Sequence, residues 1–186
     1  MRKVTFGGAS SLDNFFACQD GGMDWLMWSD EVMELTKGFW QKMDCIIMGR
    51  KTYEVAMAGQ TERDEKWSGG EMENPYGDIK TYVFSRTLPT GRTNGGAEGI
   101  SSDPGEFVRD RKQRDGKDIC VMGGGDLART LLEAGVIDEI GFNIHPVLLG
   151  SGIPLFHEMS RQIDLDLIDC KPLKNGCVYV FYRVKN

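Results

Sequence analysis

The chain has 186 residues, 40% of them hydrophobic and 27% charged, with a net charge of -6 and a pI near 5.0. That size and mix give one domain with a core of its own, and the acidic balance excludes general nucleic-acid binding, which needs a basic face. No apolar run reaches the length of a membrane span, "MRKVTFGG" lacks a secretory apolar core, and five scattered cysteines with two histidines point to buried reduced thiols in a cytoplasmic protein and to no metal site.

Lys3 to Ala9 reads as a strand ending in glycine and small residues, followed by the loop "SSLDNFFACQDGGMDW". Ser29 offers an N-cap, with Asp30 and Glu31 in the first turn where the helix dipole favours acids. Val32, Leu35, Phe39 and Met43 recur at helical spacing. Cys45 to Met48 is apolar and too short for a helix, so it fits a strand covered on both faces. "GRKTYEVAM" reads as a helix start. Residues 58–79 are polar and non-periodic, which predicts a long loop of the kind that forms a lid, an interface element or a mobile segment.

Thr81 to Phe84 is a short strand before the turn-rich "SRTLPTGRTNGGAEGISS". Asp103-Pro104-Gly105-Glu106 supplies a cap, a proline at the first helical position and an acid three residues after the cap, so a helix follows with Phe107 and Val108 on its apolar side. Ile119 to Met122 is the next strand. After three glycines, Leu127, Ala128, Leu131 and Leu132 form a helix face that Gly135 closes. Ile140, Phe142 and Ile144 alternate as in a strand, and "HPVLLGSGIPLF" is an apolar connection suited to the core or a subunit contact. Leu165 and Leu167 face Val178, Val180, Tyr182 and Val184 across an Asn175-Gly176 turn, a hairpin pattern. Residues 1–186 thus read as a single α/β domain with a mostly parallel sheet and an antiparallel C-terminal hairpin at its edge.

Parallel α/β sheets bind ligands at the carboxyl ends of their strands. Gly49-Arg50-Lys51-Thr52 follows one strand, Ser85-Arg86-Thr87 another, and Gly123-Gly124-Gly125-Asp126 a third. Glycines between a strand and a helix weaken both, so bare backbone must serve a purpose there. It lets a phosphate reach the N–H groups of a helix start. Gly123-x-Gly125-x-x-Ala128 also satisfies a dinucleotide fingerprint, but not on the first strand and without the acid that would hold a ribose hydroxyl. Arg50, Lys51 and Arg86 instead suit the extra 2′-phosphate of NADP. Taken one by one, each arginine is also an ordinary surface charge, and the glycines also suit close helix–strand packing.

With "SLDNFFA", "DCIIMGRKTYE", "YVFSRTL" and "VMGGGDLARTLLEAGVIDEIGFNIHPVLLGSGIPLF" in this order over almost its whole length, the chain resembles the dihydrofolate reductase-like superfamily. Within it, the chain looks most like the C-terminal reductase domain of the bifunctional riboflavin-biosynthesis deaminase-reductase. The resemblance implies a three-layer αβα fold and an NADPH-dependent oxidoreductase. It places Arg50, Lys51, Ser85 and Arg86 at the 2′-phosphate side of the cofactor, with Gly49 also among the cofactor-binding residues. Thr52, Gly123, Gly124, Gly125, Asp126 and Leu127 fall at the pyrophosphate, with a cis peptide between Gly123 and Gly124. Ser11-Leu12-Asp13-Asn14 falls beside the nicotinamide. It also implies a homodimer.

Two departures stand out. The acid that grips the pterin in dihydrofolate reductases falls near Met33, with Asp30, Glu31 and Glu34 out of register. The first loop has Asn14 where riboflavin-type reductases have glycine, and asparagine tolerates the left-handed backbone such a turn needs. The zinc-bearing deaminase segment of the bifunctional enzymes does not occur in these 186 residues. Asp13 is the candidate catalytic and substrate-contacting residue, with a turn-forming role as its alternative. Trp25, with Asp24 and Trp28, and Asp30 are candidate substrate contacts; the alternatives are loop anchoring and dipole stabilisation. His145 is either a proton shuttle or a hydrogen-bonded structural histidine. The expected activity is reduction of a small planar heterocycle, most like 5-amino-6-(5-phosphoribosylamino)uracil. Reduction of dihydrofolate, a pterin or another imine or carbonyl is the alternative, and a non-catalytic NADP-binding paralogue a third.

Overall fold

In the computed structural model, successive residues of Met43–Gly49 point into two different cores: Cys45 and Ile47 join one, Ile46 and Met48 the other. This two-sided burial is why the segment is apolar without alternation. The structure describes residues 1–65, 78–87, 90–93, 95–123 and 125–185. In chain order the elements are β1 (Val4–Ser11), β2 (Phe15–Ala17), α1 (Asp30–Trp40), β3 (Met43–Gly49), α2 (Arg50–Glu65), β4 (Lys80–Phe84), β5 (Gly91–Arg92) and β6 (Glu98–Ile100). Then come α3 (Pro104–Gln113), β7 (Asp118–Met122), α4 (Gly125–Glu133), β8 (Glu139–His145), β9 (Ile153–Pro154), β10 (Leu165–Pro172) and β11 (Val178–Val184).

Nine of the described strands form one sheet in the order β10-β11-β8-β1-β7-β3-β4-β6-β5. From β8 to β6 the neighbours run parallel; the hairpin β10–β11 and the short β5 add antiparallel edges. Val108 of α3 and Ala128, Leu131 and Leu132 of α4 pack with Val4, Phe6, Ile47 and Val121 on one face. Phe39 and Trp40 of α1 and Tyr53 and Met57 of α2 pack with Ile46, Met48, Val83 and Cys120 on the other. The architecture is therefore helix, sheet, helix. Each fully buried Ile or Val of the central strands contributes roughly 1.5–3 kcal/mol of transfer free energy, so the packing of the sheet rests on them.

The helix signals in the sequence have concrete partners. Ser29 Oγ accepts the Val32 N–H, and Asp103 Oδ1 accepts the Glu106 N–H at 2.8 Å with Pro104 in the first turn. Gly135 has a φ of +65°, the left-handed residue that ends α4. Three expectations need correction. Residues 58–65 continue α2 rather than forming a loop, because Gln60, Glu62, Arg63 and Glu65 are good helix formers even without an apolar stripe; residues 66–77 of the expected lid lie outside the described residues. The turn-rich 85–102 stretch contains β5 and β6. The first loop and "SGIP" form a second small sheet, β2 with β9. No helix among the described residues is long and apolar enough to cross a membrane.

The two ends of the sheet differ. At the amino ends of the strands, Arg2 pairs with Asp44, and Lys112 Nζ lies 2.7 Å from Asp138 Oδ2. Asp138 Oδ2 also accepts the Val4 N–H at 2.8 Å, and Asp118 Oδ1 accepts the Lys3 N–H at 2.8 Å. That end is closed by mutual charge pairing. At the carboxyl ends, Lys51 and Arg86 are exposed and have no ion-pair partner among the described residues.

Candidate active site

The strands β7, β3 and β4 are adjacent, so their carboxyl ends lie side by side and bring together the three segments singled out above. The chain leaves β7 at Met122 and turns through Gly123, with φ of +81°, into Gly125, with φ of +74°, the first residue of α4. A Cβ on Gly123 would sit 2.1 Å from Thr52 Oγ1. Glycine is therefore required twice over: for its backbone angle, and because the first turn of α2 comes into contact with the turn. Gly124, and with it the Gly123–Gly124 peptide, lies outside the described residues.

Arg50 opens α2, and its guanidinium is 2.6 Å from Glu54 Oε1 one turn on. Ser85 Oγ accepts the Thr87 N–H at 3.0 Å, a local turn that leaves Arg86 projecting from the end of β4. Asp126 faces solvent and pairs with Arg129 at 3.2 Å and with His157 at 3.5 Å. Leu127 packs its side chain against the core, so it can offer this edge only its backbone.

Beside these strand ends, between α1 and the sheet, lies a cavity of about 280 Å³. Met122 and Cys120 of β7 line it, so the cavity adjoins the glycine turn. Gly7, Gly8 and Ala9 of β1 and Gly141 and Asn143 of β8 form its floor. Gly7 pairs with Gly141, and Gly141 with Phe181 of β11. A Cβ on Gly141 would lie 2.6 Å from Phe181 Cδ2, so the missing side chain is what lets the phenyl ring lie across β8. Val32, Leu35 and Phe39 of α1 and Trp28 before it complete the walls.

His145 closes one end of the cavity and is 2% exposed. Its Nδ1 accepts the Met27 N–H at 3.1 Å and lies 3.3 Å from Cys177 Sγ, while Nε2 is 3.2 Å from the Asn143 amide. Burial pushes the His145 pKa below that of a free imidazole, and burial likewise raises the Cys177 thiol, which stays protonated. With an N–H donor fixed on Nδ1, the ring proton resides on Nε2. Burial also raises two thiols of the central strands: Cys45 to about 11, and Cys120 further.

Several residues picked out in the sequence lie elsewhere. Asp13 does not line the cavity. Its carboxylate accepts Ser11 Oγ–H at 2.6 Å, the Leu149 N–H at 3.2 Å and the Gly150 N–H at 2.8 Å, which together hold its pKa below the usual range, the Ser11 bond most of all. It ties the first loop to the loop after β8, in keeping with the turn-forming alternative. Asn14 adopts φ of +62°, the left-handed turn its chemistry permits.

Asp30 is exposed on the outside of α1, and Met33, at the position of the pterin-gripping acid, is 52% exposed. Trp25 packs edge-on against His145, ring centroids 5.2 Å apart, behind the cavity wall rather than in it. Trp28 lines the cavity. The sequence reading missed the floor: Gly7, Gly8 and Gly141 inside strands are the signal that could have found it, since glycine in a strand marks a close approach.

The RibD C-terminal domain family matches residues 2–179. Two Bacillus subtilis proteins of uncharacterised function are similar over most of their length: YyaP is 31% identical over 98% of this chain and 95% of its own, and YwjB 33% over 89% of each. Among solved structures, a Shewanella sp. PV-4 protein provisionally assigned to riboflavin biosynthesis superposes with a TM-score of 0.77 at 22% identity, over the whole of both chains. The Thermotoga maritima diaminohydroxyphosphoribosylaminopyrimidine deaminase/5-amino-6-(5-phosphoribosylamino)uracil reductase gives 0.65 at 14% identity, over 98% of this chain and 56% of that one. Dihydrofolate reductase from Enterococcus faecalis, in complex with NADP(H), gives 0.66 at 14% identity, over 99% and 97%. The chain belongs to the RibD C-terminal domain family, on the fold that its members share with dihydrofolate reductase.

Proposed function

We propose that this chain is an NADPH-dependent reductase that acts on a C=N or C=O bond of a small molecule built on a planar heterocycle, like the substrate reduced in riboflavin synthesis. The observation that carries the reading is the continuity between the glycine turn after β7 and the cavity between α1 and the sheet. An extended dinucleotide with its phosphates at the turn has one end beside Arg50, Lys51 and Arg86, and the other beside Met122 and the glycine floor.

The residues fit such a cofactor. A Cβ at Gly123 would fill the cradle, the N-terminus of α4 favours negative charge, and the strand ends carry three cations. When bound, NADPH supplies the hydride. Arg50, Lys51 and Arg86 hold the 2′-phosphate; the Gly123–Asp126 backbone and the Thr52 hydroxyl hold the pyrophosphate. The apolar walls exclude water from the reacting bond. The proton that accompanies hydride transfer comes from solvent at the cavity mouth, since none of the described lining residues is a carboxylic acid.

The test is NADPH against NADH binding to the purified protein, by thermal shift or fluorescence. The expected result is a preference of tenfold or more for NADPH. Binding of neither would remove the reductase reading.

A further inference from the structure

The described residues that line the cavity bring no permanently charged side chain to it. Among its described lining residues there is no Asp, Glu, Lys or Arg. The polar groups it presents are the Thr36 and Tyr179 hydroxyls, the Asn143 amide, two indole N–H groups and His145. His145 is neutral by its hydrogen bonds, because the lone pair a second proton would need is directed at the Met27 N–H.

The mouth is no better for an anion. Between the lining residues Trp28 and Val32 lies the N-terminus of α1, where backbone N–H groups would otherwise be open to one. There Ser29 Oγ already takes the Val32 N–H, and Asp30 and Glu31 occupy the first turn. Lys174, the cation that reaches this helix, is held by Glu31: Nζ lies 3.5 Å from Oε1, and its backbone N–H bonds Oε2 at 2.8 Å. A phosphate near this mouth meets carboxylates, and a phosphate inside the cavity meets apolar walls.

Resting on the reductase reading above, we propose that the substrate of this chain is a neutral, planar, phosphate-free ring system, held by stacking against aromatic walls and by hydrogen bonds to Asn143, and not a phosphoribosylated pyrimidine. The flat shape follows from the glycine floor, the Phe181 ring laid across Gly141, and Phe39 and Trp40 opposite. The neutral charge follows from the lining: an unpaired phosphate loses its hydration there and gains no partner. Asn143 Oδ1 is buried and has no partner within hydrogen-bonding distance. With the ring proton on His145 Nε2, the amide is satisfied there only with Oδ1 turned toward Nε2–H, 3.2 Å away, and its NH2 is then the group left to a ligand.

The test is a matched pair, 5-amino-6-(5-phosphoribosylamino)uracil and its phosphate-free ribosylamino counterpart, with lumazine as a neutral bicyclic probe. Binding is measured by calorimetry on the full chain, with and without NADPH. Removing the phosphate should leave Kd within threefold or tighten it, and lumazine should bind. A loosening of more than threefold on phosphate removal would overturn the proposal, as would failure of all three probes to bind.

Leu35→Lys, which places a cation in the wall, should shift the preference at least tenfold toward the phosphorylated form; Thr36→Lys serves if that variant does not fold. No shift in a folded variant would show that the phosphate never approaches this wall, and would also overturn the proposal. Failure of NADPH itself to bind is a separate result. It removes the reductase reading, while probe binding to the free protein still decides what the cavity accepts.

Discussion

The imidazole Nδ1 of His145 accepts the backbone N–H of Met27 at 3.1 Å, across 118 residues of chain. One hydrogen bond thus joins the end of β8 to the loop that supplies Leu26, Met27 and Trp28 to the cavity wall. Protonating Nδ1 would set an N–H against an N–H, so the bond exists only with the neutral ring. Burial lowers the folded-state pKa below the ordinary 6.5. The sign then follows from linkage: the unfolded chain takes up the proton first. This contribution to stability is complete above pH 6.5 and is lost as pH falls from there through the lowered folded pKa. Unfolding titrations should show stability falling across this window in the wild type, and a flatter profile in His145→Gln. A profile unchanged by the substitution would mean that His145 does not bear on this loop.

Arg50 gives the second prediction. Its pair with Glu54 is an exposed i,i+4 contact, with side chains 38% and 53% accessible, and such pairs contribute about 0.3–0.5 kcal/mol. A charge-assisted bond to a phosphate contributes roughly 1.5–3 kcal/mol, so the guanidinium is free to exchange one partner for the other. Arg50→Ala should therefore weaken NADPH about tenfold or more, or about 1.4 kcal/mol, and NADH less than twofold. Equal losses for the two cofactors in parallel titrations would remove the 2′-phosphate role from this residue.

How far the sequence could be read depended on how local each determinant is. The caps at Ser29 and Asp103, the stop at Gly135 and the left-handed Asn14 are each fixed by a few consecutive residues, and the structure has them where the sequence put them. The strands β2, β5, β6 and β9 have two or three residues each, too few for any alternation to register. The cavity depends on register: Gly7 beside Gly141, and Gly141 beside Phe181, are neighbours only after β1, β8 and β11 have paired. The contacts of Asp13 were out of reach of the sequence for the same reason, because two of its three donors, Leu149 and Gly150, come from a loop over 130 residues away.

Asp13 makes the third prediction. Its folded-state pKa lies below the ordinary 3.8, chiefly through the Ser11 hydroxyl and the Gly150 and Leu149 N–H groups. A lowered carboxylate pKa stabilises the fold above the unfolded value, and the contribution disappears as pH falls through the folded one. Asp13→Asn should therefore lose stability at neutral pH, and the difference from the wild type should shrink as pH falls from 3.8 and vanish only below the lowered folded pKa. NADPH affinity should stay within twofold, because the carboxylate holds two loops together and does not reach the glycine turn. A collapse of turnover in a variant that remains folded and binds NADPH normally would place Asp13 in the chemistry.

The last prediction separates the two demands on Gly123. Its φ of +81° costs any L-residue about 1–2 kcal/mol, and a Cβ there would lie 2.1 Å from Thr52 Oγ1 and 3.0 Å from Thr52 Cγ2. Gly123→Ala should therefore destabilise the chain by roughly 2–3 kcal/mol, which for this size lowers Tm by about 5–10 °C, and should weaken NADPH. Thr52→Ala removes Oγ1, the severe clash, and Cγ2, and leaves Thr52 Cβ at 3.0 Å, at a small cost of its own. In the double variant the steric part of the loss should be recovered and the backbone part should remain, so the two single effects should not add. If they add within about 0.5 kcal/mol, Thr52 and the turn act independently, and the close approach of α2 to the end of β7 is not what requires glycine at this position.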